Sequence, residues 1–525
     1  MWSRKRSNRT GRVSGKIVFA LTMGLIVWSG AFITWWVALA IGDREDFQNA
    51  RLRRVFYFDS EGGNDTNSGL SPERALRSLE RLSRLKLKPG DAVLFRRGCT
   101  FRGRLKFKGN GTPNAPLRLG AYGKGPNPKI LGSVRLTDWK PVGKGIYKAQ
   151  LPKSLSNKPR MVYSVFLYNA STLPVRFLRS PKEPPSKGQF FYSPDEGAIY
   201  LNFGSDDPNK HHIEATVIDE LLNLTGRQWL VLEDLTFLFG NRRHIVINAS
   251  KHIVIRRCAS MFVGYYGNPN IIVKGSSSRV EIVDCFLYDG ANGHVRITDG
   301  STKCVVKGNV ILKTKSNDGV TMHCKRRDKQ GRRYGLAGNN SIVENNIIGL
   351  CGEQAIDVTS GDFHIVRGNI CFGNKLSGIV IGHDADHILV DGNIFFNNGT
   401  QGILVKGKEE EGSRGRNKIV GNLIYENGAG IDILIMETEV INNTIVNSRK
   451  RPAVRVPRKG EGAMLCNNII AIIDRRIPFT CLQFSTDTVE GLRLTLKHNL
   501  FFHWDKHRVI RTSEGMFSLE EFVAR

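Results

Sequence analysis

A phrase built around asparagine recurs through the second half of the chain: an aliphatic residue, one or two polar residues, Asn, then two apolar residues. It falls at Asn309, Asn346, Asn369, Asn393, Asn422, Asn443, Asn468 and Asn499, in steps of 37, 23, 24, 29, 21, 25 and 31. Continued backwards, the register reaches Cys285, Cys258 and Asp234, at steps of 24, 27 and 24. A unit of this length cannot bury its own apolar face, so copies must stack into a solenoid with one repeat per coil. Within each unit apolar residues alternate with polar ones, as in Ser377-Gly378-Ile379-Val380-Ile381, and the helical period is missing. The pattern predicts an all-β parallel β-helix and excludes a leucine-rich or helical solenoid.

The asparagine slot has a structural reason. Stacked coils bring equivalent side chains to the strand spacing of about 4.8 Å. An inward Asn at a corner can bond its neighbours' backbone and tolerates left-handed geometry. Cys258 and Cys285 then stack as small apolar residues. No chemistry is assigned to this slot.

Residues 17–42 form an apolar run without a charged side chain, preceded by Arg4, Lys5, Arg6, Arg9, Arg12 and Lys16 with no acid. About 20 apolar residues span a bilayer, and the basic flank orients the N-terminus inward. We expect a cytoplasmic tail at 1–16, a single-pass signal anchor at 17–42 and a linker at 43–54, with the remainder extracytoplasmic. Trp28, Trp35 and Trp36 suit such a span. A cleaved signal peptide ending near Ala38-Leu39-Ala40 is the rival reading. The net charge is +29, and removing the six tail cations leaves +23. A folded unit that basic attracts polyanions. Outside the cytoplasm this points to an acidic polysaccharide or an anionic membrane surface, with no nucleic acid expected. The nine cysteines contain no Cys-x-x-Cys pair, so neither a zinc site nor a disulfide framework is expected.

A strand at Val55–Phe58 is followed by Ser71 and Pro72, read as the cap and first residue of a short helix whose Leu76, Leu79, Leu82 and Leu85 make one stripe. Such a helix would close the open end of a solenoid. The segments Gly63-Asn64-Asp65, Gly69-Leu70-Ser71-Pro72, Leu87-Lys88-Pro89-Gly90-Asp91, Gly120-Ala121-Tyr122-Gly123 and Ile130-Leu131-Gly132-Ser133 resemble the entry module of right-handed parallel β-helix proteins of the pectate-lyase-like superfamily. That superfamily holds polysaccharide lyases, uronan epimerases, glycoside hydrolases and members without known catalysis. The resemblance implies a right-handed helix, with cap and first coils at 55–133 and coils at 216–505. Residues 134–215 break the coil rhythm and are read as an inserted β-rich subdomain. A C-terminal cap is expected at 506–525, where Ser518 and Glu521 suggest a capping box. A capped solenoid needs no partner to protect its ends, so a monomer is expected.

Aligning strands by their glycines places Arg296, Thr321 and Asp357 in one outward column, with Thr298, His323 and Thr359 in the next. Arg296, Asp318, His323, Glu353 and Asp357 thereby share one face over three coils. The 37-residue step follows at once, with Lys325, Arg326, Arg327, Lys329, Arg332 and Arg333 opposed only by Asp328. Arg296, Arg326, Arg327, Arg332 and Arg333 are the expected substrate-binding residues, suited to carboxylates or sulfates. A solvated basic loop is the bland alternative.

Breaking a uronan by β-elimination needs a cation on the carboxylate, a base for the C5 proton and an acid for the leaving oxygen. His323, Lys325, Asp318 and Asp357 are the expected catalytic set. Calcium, the one candidate cofactor, would sit on Asp318, Glu353 and Asp357. A lyase or C5-epimerase acting on an acidic polysaccharide is the first reading. The alternatives are a polysaccharide-binding or envelope-assembly protein, and a glycoside hydrolase using Asp357 with Asp318 or Glu353. No catalytic motif of the superfamily is matched residue by residue.

Overall fold

The computed structural model describes residues 52–524, except 153–158, 170–172, 266, 324–325, 328–332, 335–337, 408–414 and 487–488. The anchor expected at 17–42 lies outside this set, and no helix among the described residues is long and apolar enough to cross a membrane.

A regular coil contributes three strands, which stack into three long sheets, parallel except for the last strand of the third. Sheet I has 14 strands, from Arg54–Phe58 to Thr495–Lys497. Sheet II has 13, from Thr100–Arg102 to Leu500–His503, and sheet III also has 13, from Glu220–Thr225 to the C-terminal Met516–Phe517. One coil reads Val305–Lys307, Val310–Ser316, Val320–His323, entering the three sheets in turn. The alternation in the sequence drives this arrangement, because every second residue meets its equivalent one coil away. Val306, Val343, Val366, Val390 and Ile419 stack inside sheet I, and Ile311, Ile348, Cys371, Phe395 and Ile424 inside sheet II. All ten are fully buried in one continuous core. Burying each such side chain contributes about 1.5–3 kcal/mol before chain entropy is subtracted.

The asparagine slot forms a ladder at the corner between sheets I and II. From Asn309 to Asn468, each side-chain amide donates to the Oδ1 of the next Asn, with N–O distances of 2.9–3.1 Å. Each Oδ1 also accepts the preceding rung's backbone amide. The left-handed residue is the one before the ladder Asn, as at Asn345, Gly368 and Gly392. This corrects the expectation that the Asn itself adopts that geometry. The backward extension is off by one at its end: fully buried Leu235 occupies the slot, while Asp234 takes the left-handed position and pairs with Arg257.

The N-terminal helix is shorter than expected. Pro72–Arg74 is a single 3-10 turn without a side-chain cap bond from Ser71, and the α-helix is Leu79–Arg84, capped by Ser78. Its Leu79 and Leu82 join Leu76 in the main core, covering the first coil. At the other end Ser518 and Glu521 form the capping box of Leu519–Val523, and Phe522 packs edge-on to Phe484. Residues 133–216 build a separate eight-stranded sheet with its own core around Trp139, Phe177, Phe190 and Tyr192. It leaves the solenoid after Lys129–Leu131 and returns before Glu220–Thr225. The eight described cysteines are free, and seven of them are buried.

Candidate functional site

Sheet III carries the outward column read from the glycine alignment. Arg296 pairs with Thr321, and Thr321 with Asp357, as Cα partners on successive strands. Strand spacing puts neighbours about 4.8 Å apart, so the three residues form a short vertical file. The second column is displaced. An irregularity after Met322 brings Ser360, not Thr359, beside His323, and Thr359 is buried. An extra residue in Ile356–Ser360 shifts the pairing, as bulges do.

The surroundings of Arg296 and Asp357 are built rather than incidental. Arg296 donates from Nη2 to Asn292 Oδ1 at 2.6 Å, and Asn317 Nδ2 donates to the same oxygen at 3.0 Å. Burial pushes the Arg296 guanidinium down, while Asp318 and Asp357 act in the opposite direction. Arg243, one of whose nitrogens donates to Asn268, adds a second cation on this face.

Asp318 is not the outward residue the alignment suggested. It is 1% exposed. One carboxyl oxygen accepts from Thr321 Oγ1 at 2.9 Å and the other from the Gln354 amide at 3.2 Å. Thr321 turns its hydroxyl onto this carboxyl and is itself buried. Burial, and then the charge of Asp357, push Asp318 well above the ordinary carboxylate range, with Glu353 adding to the effect. Two carboxyls in mutual electrostatic reach cannot both ionise cheaply, so the pair retains a proton that a lone surface Asp would lose. Asp357 and Glu353 are half-buried, and Asp357 occupies the outward column.

Calcium fits this set poorly. Both Asp318 oxygens accept hydrogen bonds from the protein, which leaves them poorly placed to ligate a cation. Among the described residues no group of three or more His, Cys, Asp or Glu side chains is arranged around a metal position.

His323 is half-buried at the end of Val320–His323. The basic insertion returns on itself as a two-stranded ribbon, with Arg326 opposite Tyr334 and Arg327 opposite Arg333. Lys325 and Arg332, and the side chains of Arg326, Arg327 and Arg333, lie outside the described residues. Asn292, Asn317 and Gln354 hold the site without being singled out by the sequence. Their signal is positional, since each sits at or next to a strand end beside a column already identified.

The stack and its sheets match solved folds. The family model described as "Right handed beta helix region" matches residues 220–395 and 336–468. A solved complex of XylC with xylose superposes with a TM-score of 0.52 at 12% identity, covering 88% of this chain and 86% of that one. The chain is a right-handed parallel β-helix. Weaker likenesses to this β-helix include a lacto-N-biosidase from Eubacterium ramulus, with TM-score 0.43 and 14% identity over 86% of this chain and 68% of that one. A mannuronic acid specific family 6 lyase from human gut microbiota gives 0.46 and 12% over 84% and 91%. Comparison with curated protein sequences finds no match.

Proposed function

We propose that this β-helix is a polysaccharide-active enzyme that cleaves glycosidic bonds in an acidic saccharide by acid–base chemistry at Asp357. The observation that carries the reading is the carboxyl pair on successive coils, one member buried and holding a proton, beside a positioned arginine. Opposed protonation states in neighbouring acids are what acid–base catalysis requires at neutral pH. Asp318, buried with both oxygens hydrogen-bonded, keeps the shared proton and is a positioning residue that leaves Asp357 ionised. Asp357 is the base that takes a proton from the attacking water, and Glu353, the second carboxyl on this face, donates a proton to the leaving oxygen. Arg296 anchors the substrate anion, and the +29 chain charge supports an acidic polymer.

Elimination or epimerisation at a uronate is the second reading, favoured by Arg296 in the same file as Asp357. A guanidinium there would neutralise a uronate carboxylate and acidify its C5 proton. The solved likenesses include proteins named as a biosidase and as a mannuronic acid lyase, so either outcome suits the scaffold. We also place the working β-helix outside the cytoplasm on an anchor at 17–42.

The test is product analysis. The full-length protein is incubated with uronic-acid polysaccharides, with and without chelator, while reducing ends and ultraviolet absorbance are followed. New reducing ends without absorbance establish hydrolysis. Reducing ends with absorbance establish elimination and move the base to His323 or Lys325. Neither signal on any polymer refutes cleavage, and solvent-deuterium uptake then decides whether epimerisation survives.

A further inference from the structure

One corner before the Asp357 site, a second charged cluster joins the inserted subdomain to the coils. Asp289, 3% exposed, lies at its centre. Arg176 from the subdomain donates to Asp289 Oδ2 at 2.5 Å. Lys313 Nζ lies 3.0 Å from Oδ1, and the Tyr265 hydroxyl donates to the same oxygen at 3.2 Å. The Arg176 guanidinium stacks 3.6 Å over the Tyr265 ring and 4.4 Å over Phe166. Lys313 Nζ sits 5.3 Å over Tyr288, and Lys315 Nζ 4.7 Å over Tyr265.

Docking the subdomain explains only part of this. Asp289 and Arg176 neutralise each other and are both nearly buried. Lys313 and Lys315 are surplus, and among the described residues Lys315 meets no carboxylate. Both lysines are solvent-exposed. A purely structural contact gains nothing by gathering three cations around one acid, because the surplus charges repel. Aromatic faces beneath the ammonium groups hold the cations in place and offer apolar surface to a sugar ring.

The position ties the cluster to the site already described. Lys315 precedes Asp318 by three residues, and Asp289 precedes Asn292, which holds Arg296, by three. Three residues reach at most about 10 Å, so Lys315 lies within that distance of Asp318, with Lys313 two residues further along the chain.

We infer that Lys313 and Lys315, over Tyr288 and Tyr265, form a subsite for a carboxylate-bearing sugar residue adjacent to the one processed at Asp357. The inference deepens the proposed function and rests on that reading. It makes the substrate a polymer with acidic residues near one another, and it gives the inserted subdomain, through Arg176, a part in shaping the cleft.

The test uses the full chain and oligomers of galacturonate, mannuronate, guluronate and glucuronate, each as free acid and as methyl ester. Binding is measured by calorimetry on the Asp357→Asn variant, so that turnover does not interfere. The expected result is preference for at least one free acid over its ester, and loss of affinity by about tenfold for each of Lys313→Gln and Lys315→Gln, the size of one charge-assisted contact. The ester's affinity should not change, and neither should the melting temperature, since both side chains are exposed. Unchanged free-acid affinity in the double variant overturns the subsite while leaving the Asp357 reading intact. Equal binding of acid and ester by the unsubstituted lysines, or no binding of any of the four, overturns it as well. Turnover retained by Asp357→Asn would instead sink the catalytic reading alone, with the lysine effect still readable.

Discussion

Asn369→Ala should open the corner between sheets I and II at one rung. Asn369 Oδ1 accepts from the Asn346 amide at 3.0 Å and from Asn346 Nδ2 at 2.9 Å. Its own Nδ2 donates to Val343 O, Arg367 O and Asn393 Oδ1. Truncation leaves the Asn346 backbone N–H without an acceptor, while Asn346 Nδ2 loses one bond and keeps Val306 O. At about 1–3 kcal/mol for a buried donor left unsatisfied and about 1 kcal/mol for the lost bond, the cost is about 2–4 kcal/mol. The last rung is the control, because Asn499 makes equivalent bonds to Asn468 where water can reach it. Asn499→Ala should cost less than about 1 kcal/mol on the same argument. A solenoid's stability is a sum over neighbouring coils, so the effect should be local. Hydrogen exchange resolved by mass spectrometry is the assay, with urea midpoints as the global check. Faster exchange confined to the coils around 343–371 is expected. A change below 0.5 kcal/mol, or an equal loss at Asn499, would refute the ladder as a source of stability.

The remaining expectations concern charge. Burial depresses His294 and His364 to about 4 and His244 to about 3. Because the folded values lie below the ordinary one, their stabilisation is present above about pH 6.5 and lost as pH falls towards 4. Shifts of this size correspond to about 3–5 kcal/mol each, so urea midpoints should drop steeply from pH 7 to 4.5, and His294→Gln should flatten the slope. Asp318 has the opposite sign. Its raised folded value stabilises at low pH and is lost as pH rises through it, so Asp318→Asn should gain on the parent protein between pH 5 and 8, and a parallel pH profile would contradict this. Fully buried Glu214 receives two bonds from Arg102, one from Ser133 and a contact with His212. Glu214→Gln should cost about 3–5 kcal/mol and expose residues 134–215 to limited proteolysis. An unchanged digestion pattern would count against that anchoring.

The fold was legible because its determinants repeat. Column after column obeys the same alternation, so the sequence alone aligns Arg296, Thr321 and Asp357. What failed was whatever broke the repeat. The bulge in Ile356–Ser360 moved Thr359 out of the expected column, since an extra residue leaves no trace in composition. Asp318 was read as outward from its place beside Gly319, yet Thr321 and the Gln354 amide draw it in. Lys313, Lys315 and Tyr265 were passed over because Arg176, which completes their cluster through Asp289, comes from a separately folded subdomain. Long-range docking of that kind leaves no local pattern to read.

Asp357, kept ionised by the proton on Asp318, takes the proton of the attacking water in cleavage of an acidic saccharide. The most direct measurement compares the full-length protein with its Asp357→Asn variant on uronic-acid oligomers, recording turnover and binding together. Loss of turnover by at least about a hundredfold, the usual range for removing a general base, with binding kept within a few-fold, is the expected result. Turnover that survives Asp357→Asn, or that falls only in step with lost binding, would contradict the account.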